Sequence, residues 1–217
     1  MMHPTYHPSD AVLLDHAAGA LHEAQSLAVA AHAELCPQCR QRIAKAEAVG
    51  GSLLDDLAPE AVSASALANV MGRLDEPAPV LAPAALPFRP DLAWMPRTLR
   101  RYVTGDAPLP WRRLAPGIKH LLLSTGDRAT ARLMRVDPGV CLPSHGHRGL
   151  EMTLVLEGGF SDALGHFVRG DVAELSEMDR HQPVIDADGP CIALVVTEAP
   201  AVYDGLVYRL LQPMIGL

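Results

Sequence analysis

The sequence predicts an α+β chain of two domains, an all-α helical bundle followed by an all-β barrel. Three observations carry this. Apolar residues recur at helical spacing in the first third, then give way to short runs of Val, Leu and Ile broken by Gly, Pro and Asp. Between the two patterns, residues 75–90 hold five prolines in sixteen positions, a composition that extends as a semi-rigid spacer. Each half also has its own cluster of metal-ligating residue types. The expected division is residues 1–75, a linker at 76–90, and residues 91–217.

The helices follow in order. Ser9 suits a cap for a helix over 10–18, stopped by Gly19. A second spans 22–35, with Leu27, Ala28, Ala31 and Leu35 on one face. A third covers 37–48 and ends at Gly50-Gly51. A fourth runs from about 63 to 74, where Leu67, Val70, Met71 and Leu74 recur at i, i+3, i+4, i+7. That stripe reads equally as core and as a partner-binding face. Strands are expected at 117–124, 129–136, 151–156, 166–168, 171–175, 182–186 and 191–197; short strands at such spacing suggest a sandwich or barrel.

Composition excludes several classes. The 217 residues are 49% hydrophobic but only 4% aromatic, too few rings for stacking platforms under single-stranded nucleic acid. A formal charge of −7 argues against direct nucleic-acid binding, although an acidic chain can cover a nucleic-acid-binding protein's basic surface. Arg97, Arg100, Arg101, Arg112 and Arg113 read as a solvated face. Neither a secretory signal nor a membrane span is expected. Four cysteines, with Cys141 and Cys191 in apolar strand-like segments, fit a reducing cytoplasm rather than a disulfide framework.

The first half contains His32-x3-Cys36-x2-Cys39, with His7 one short helix upstream. Pro37 suits the first position of a helix capped by Cys36, and the residue before a proline avoids helical angles. His32 then sits on the last turn of one helix and Cys39 on the first turn of the next. His7, His32, Cys36 and Cys39 make a tetrahedral Cys2His2 set for Zn²⁺. His3 is close enough to compete with His7. A Cys-x2-Cys redox dithiol is the rival reading, but it wants a βαβ context that is missing here.

The second half contains Gly139-x5-His145-x-His147-x3-Glu151-x6-Gly158, then Gly170-x10-His181. His145, His147, Glu151 and His181 offer three imidazoles and a carboxylate, a set suited to a divalent transition metal. His120 and His166 fall outside the pattern. The spacing resembles the two-part cupin signature, which implies a double-stranded β-helix barrel. The first part matches at every fixed position. In the second, Ser176, Met178 and Ile185 replace the usual proline, glycine and asparagine. A vestigial cupin whose histidines only pack is the plain alternative.

The two halves together resemble the ChrR type of zinc-binding anti-sigma factor. The likeness includes Ser9-Asp10-Ala11-Val12-Leu13-Leu14, Val49-Gly50-Gly51-Ser52-Leu53 and His145-Gly146-His147-Arg148-Gly149-Leu150-Glu151. It implies a non-enzymatic, cytoplasmic regulator whose helical domain binds Zn²⁺ and grips an ECF sigma factor, keeping it from core RNA polymerase. It implies a cupin that holds a second divalent metal, with Zn²⁺ expected, and responds to singlet oxygen or related peroxidic stress. A small molecule or oxidant would be the signal at the cupin. Two other classes compete: a cupin-fold metal-dependent dioxygenase or isomerase with a helical docking domain, and a thiol redox sensor built on Cys36 and Cys39.

Overall fold

A computed structural model describes residues 4–77, 89–103, 107–126 and 128–203. The helices are α1 (Asp10–Ala17), α2 (Glu23–Leu35), α3 (Pro37–Asp55), α4 (Ala66–Arg73) and, after a 3-10 turn at Pro90–Leu92, the short α5 (Arg97–Arg100). The strands are β1 (Arg112–Ala115), β2 (Ile118–Leu123), β3 (Thr130–Val136), β4 (His145–Gly146), β5 (Glu151–Glu157), β6 (Gly159–Asp162), β7 (Gly165–Val168), β8 (Val172–Leu175), β9 (Arg180–His181), β10 (Val184–Ile185), β11 (Cys191–Thr197) and β12 (Val202–Tyr203). Residues 78–88 of the expected spacer, and His3, lie outside the described residues.

Local chemistry explains most helix ends. Ser9 Oγ accepts the Val12 N–H at the start of α1, and Gly19 takes φ +68° just past its end, a conformation costly for a residue with a Cβ. Cys36 closes α2 and caps α3: its backbone is extended, Pro37 occupies the first helical turn, and its Sγ accepts the Cys39 N–H at 3.4 Å. α3 departs from the expected stop at Gly50-Gly51 and runs on to Asp55. A glycine ends a helix by turning left-handed, and neither does so. α4 is shorter than its apolar stripe, covering 66–73 rather than 63–74.

The strands form a six-stranded sheet in the order β1-β2-β3-β11-β5-β8 and two three-stranded sheets, β10-β6-β7 and β12-β4-β9. All of the ladders are antiparallel, as in a cupin-like sandwich. The large sheet is buried on both faces, so its central strands are almost continuously apolar rather than alternating. In β5, Met152, Leu154 and Leu156 face outward, while Glu151 and Thr153 face the barrel interior. In β11, Ile192, Leu194 and Val196 face outward, and Cys191, Ala193 and Val195 inward.

What covers the outer face is α2. It packs on β3, β5 and β11 on one side and on α1, α3 and α5 on the other. Ala24, Ala28, Val29 and Ala31 are fully buried, in one apolar core with Leu133, Met152, Leu154 and Leu194 of the sheet and Met95 and Leu99 near α5. Small side chains let the helix approach closely. Gln25 fixes its position along the sheet, donating from Nε2 to Glu198 Oε1 at 2.7 Å. The halves on either side of the proline-rich spacer therefore share one core.

Ala28→Leu is expected to overpack this layer and destabilise the whole chain by about 1–3 kcal/mol. Chemical denaturation of the metal-loaded chain checks this; an unchanged midpoint would mean that α2 is not held against the sheet.

Candidate metal centres

The corner between α2 and α3 brings the first ligand set together. His32 is fully buried on the last turn of α2, Cys36 sits at the corner, and Cys39 lies in the first turn of α3. His7 arrives on the arm preceding α1. Its Nδ1 lies 3.5 Å from His32 Nε2, 3.5 Å from Cys36 Sγ and 3.5 Å from Cys39 Sγ. Nitrogen and sulfur donors around one tetrahedral Zn²⁺ stand roughly 3.3–3.8 Å apart, given Zn–N near 2.1 Å and Zn–S near 2.3 Å. All four ligand atoms fall within 4.8 Å of one another.

The protonation states agree with a cation site. His32 Nδ1 donates to the Gly170 carbonyl oxygen at 2.8 Å, leaving Nε2 as a bare lone pair toward the cluster. Burial lowers the His32 pKa to about 4, so the imidazole is neutral and able to ligate at pH 7. Without a cation, burial and then the neighbouring Cys36 push the Cys39 thiol up to about 12. A bound divalent ion inverts that balance and deprotonates the thiol.

The second set lies in the barrel. His145 from β4 and His181 from β9 are directly cross-strand partners, with their Nε2 atoms 3.0 Å apart. His145 Nδ1 donates to the Pro143 carbonyl at 2.9 Å and His181 Nδ1 to Asp162 Oδ2 at 2.8 Å. Both Nε2 atoms are then lone pairs pointed at each other, an arrangement relieved by a shared cation. His147 Nδ1 lies 3.1 Å from Glu151 Oε2, and its buried Nε2 has no hydrogen-bond partner. Two opposed lone pairs with a third imidazole and a carboxylate, one ligand atom of each within 4.8 Å of the others, fit a metal ion. Burial lowers the His145 pKa, favouring the neutral ligand. Burial raises that of Glu151, but the hydrogen bond from His147 and the three imidazoles outweigh it and hold the group ionised.

Beside this set is a cavity of about 180 Å³. His145, Glu151 and His181 line one part of it; Leu114, Met134, Leu142, Phe160 and Ile185 line much of the rest. Cys191 is also in its wall, buried, with its thiol pushed up to about 12 mainly by that burial. All four cysteines are free, and Cys141 is exposed.

The structure thus gathers all eight expected ligands into two clusters. His166 is exposed and sits 2.9 Å from Asp186 Oδ2, away from both. His120 is also outside them, with its Nδ1 buried and unpartnered. Sequence reasoning missed the residues that orient the ligands: Asp162 behind His181, and the Gly170–Asp171 turn behind His32 and the arm bearing His7. It also missed Glu198, which accepts the Leu150 N–H beside Glu151 as well as the bond from Gln25. No helix among the described residues is long and apolar enough to cross a membrane.

Comparison with known proteins covers both halves. Residues 100–200 match the family model described as the ChrR cupin-like domain. The chain is 42% identical over 209 residues to the anti-sigma-E factor ChrR of Cereibacter sphaeroides, spanning 96% of each protein. The crystal structure of Rhodobacter sphaeroides SigE in complex with the anti-sigma ChrR contains a chain matching this fold at TM-score 0.75 and 40% identity. That match covers 88% of this chain and 98% of the other.

The metal-loaded chain is expected to carry two metal equivalents. Cys39→Ala should abolish the first site and His181→Ala the second, each leaving about one equivalent. Elemental analysis after desalting checks this; two equivalents in Cys39→Ala would remove that residue from the ligand set.

Proposed function

This chain belongs to the ChrR family of anti-sigma factors, and we propose that it sequesters an ECF-type sigma factor from core RNA polymerase. The observation that carries the reading is an apolar surface left without cover. Leu53, Leu54 and Leu57 at the end of α3, and Leu67, Val70, Met71 and Leu74 along α4, are each more than half exposed. Seven large apolar side chains so exposed on neighbouring stretches of sequence favour a protein-docking face over an ordinary surface. The α4 stripe, which sequence alone left open between core and partner face, is read as the latter. The relative solved with SigE supplies the class of partner.

Zn²⁺ is the proposed ion at His7, His32, Cys36 and Cys39, on the strength of the two thiolates and the tetrahedral spacing. It would fix the α2–α3 corner and so the direction in which α3 and α4 project. A second divalent ion, Zn²⁺ again expected, is assigned to His145, His147, Glu151 and His181. Residues 1–75 are assigned the sigma-gripping role and residues 91–217 the sensing role, with 76–90 as the spacer. The chain would work in the cytoplasm, where its partner meets the polymerase.

In the barrel, this chain's own residues prepare a site for a signal molecule. Asp162 and the Pro143 carbonyl fix the two imidazole orientations, Glu151 supplies the compensating charge, and the apolar walls exclude water. A metal bound there would add a Lewis-acid centre at which an oxidant or oxygen-bearing ligand can be held. Those groups also suit a dioxygenase or isomerase with a helical docking domain, but the likeness to an anti-sigma factor over 96% of the chain favours the regulator.

Val70→Glu combined with Met71→Lys should leave zinc content and helicity intact and weaken sigma binding by 100-fold or more, on the order of 3 kcal/mol. Titration against the sigma factor that co-purifies with the wild-type chain measures it, and undiminished affinity would remove α4 from the interface. Glu151→Ala should bind the sigma factor normally yet fail to release it under singlet oxygen in a reporter strain. Normal induction by that variant would mean that the barrel metal is not the sensor.

A further inference from the structure

The first ligand set is built by the helical half only in part. Its arm, residues 4–9, runs along the edge of β8 in the barrel. Asp171 is 1% exposed, and its Oδ1 accepts the backbone N–H groups of Thr5 at 2.6 Å and Tyr6 at 3.0 Å. The other oxygen, Oδ2, accepts the Val168 N–H at 2.9 Å, and the Val172 N–H returns a bond to the Tyr6 carbonyl at 3.1 Å. Further along the arm, the Ser9 N–H donates to Glu174 Oε2 at 2.7 Å. Between these anchors lie His7 and Pro8. One position before Asp171, the Gly170 carbonyl receives the His32 Nδ1 proton. Gly170 has φ +96°, and a Cβ there would stand 2.9 Å from Pro4 Cγ, so the arm lies directly on the turn.

We propose that the Gly170–Asp171 turn of the barrel is the positioning element of the zinc site in the helical half, orienting His7 through Asp171 and His32 through the Gly170 carbonyl. This rests on the reading that His7, His32, Cys36 and Cys39 hold zinc. Two of the four ligands are then aimed by the domain assigned to sensing. A short route also joins the turn's surroundings to the cavity. Phe160, in the cavity wall, stacks on Phe167 at 4.9 Å, and Phe167 packs on Tyr6 at 4.4 Å, the residue before His7. A shift of the β6–β7 hairpin is therefore felt at the arm, and the zinc site loosens without any change in its own four residues.

The test uses the full chain loaded with Co²⁺. Only the first site has thiolates, so the sulfur-to-cobalt charge-transfer band reports that site alone. Asp171→Ala should shift this band and speed its loss to excess EDTA by tenfold or more. Thr5→Pro removes one donor while leaving the Asp171–Val168 bond in place, and should give a smaller change in the same direction, about threefold. Tyr6→Phe keeps the ring and both backbone bonds and should behave as wild type. If Asp171→Ala fails to fold, Thr5→Pro decides the matter. Unchanged band position and EDTA kinetics in the folded variants would overturn the proposal while leaving the zinc reading intact. A wild-type chain with no charge-transfer band would sink the zinc reading itself, and the positioning role with it.

Discussion

Burial of α2 between the outer face of the six-stranded sheet and the other helices is the contact from which the remaining geometry follows. It explains why Leu133, Met152, Leu154, Leu156, Leu194 and Val196 make the outer face of the sheet apolar, and why the helix is rich in alanine where it meets its neighbours. It also sets the distance between the two ligand sets. Gln25, near the start of α2, bonds to Glu198, which in turn holds the loop entering Glu151. His32, two turns later, ends on Gly170. One rigid element thus touches the surroundings of both sites, and movement at either end has to be accommodated along its whole length.

Each ligand set is a local electrostatic problem that only a cation solves. Thiols and imidazoles are crowded together in the first, and opposed nitrogen lone pairs with a buried carboxylate in the second. In both, the nitrogen not facing the cluster is often committed: to Gly170 for His32, to Pro143 for His145 and to Asp162 for His181. Folding therefore fixes the tautomers before any ion arrives, which lowers the reorganisation needed on binding. The centres differ in surroundings. The first closes on four protein donors at a helix corner, whereas the second opens onto an apolar cavity.

Much of this was legible in the sequence because ligand spacing encodes ligand geometry. Cys36-Pro37 could only be a break between helices, and His145-x-His147 with Glu151 and His181 had one economical arrangement. Helices α1 and α2 and the long strands announced themselves by period and cap. The strands not foreseen, β1, β4, β6, β9 and β12, are two to four residues long, too short for alternation to register. Gly50-Gly51 misled because a glycine pair looks like a stop when the partner surface that keeps a helix useful is invisible. Asp171 escaped notice because an aspartate after a glycine reads as turn chemistry; its reach to Thr5 spans 166 positions. The docking of α2 left a trace in the outward Met152, Leu154 and Leu156 of β5 and Ile192, Leu194 and Val196 of β11, where a solvent-facing barrel strand would carry polar residues.

The uncovered apolar residues at the end of α3 and on α4 have a consequence for the cell as well as for the partner. A chain that keeps so much hydrocarbon in water is at ease only when something is seated on it. Copies made in excess of their partner are candidates for self-association and for quality-control proteases. Such a protein is best made in step with the factor it restrains, and its abundance would be set as much by that factor's supply as by its own gene.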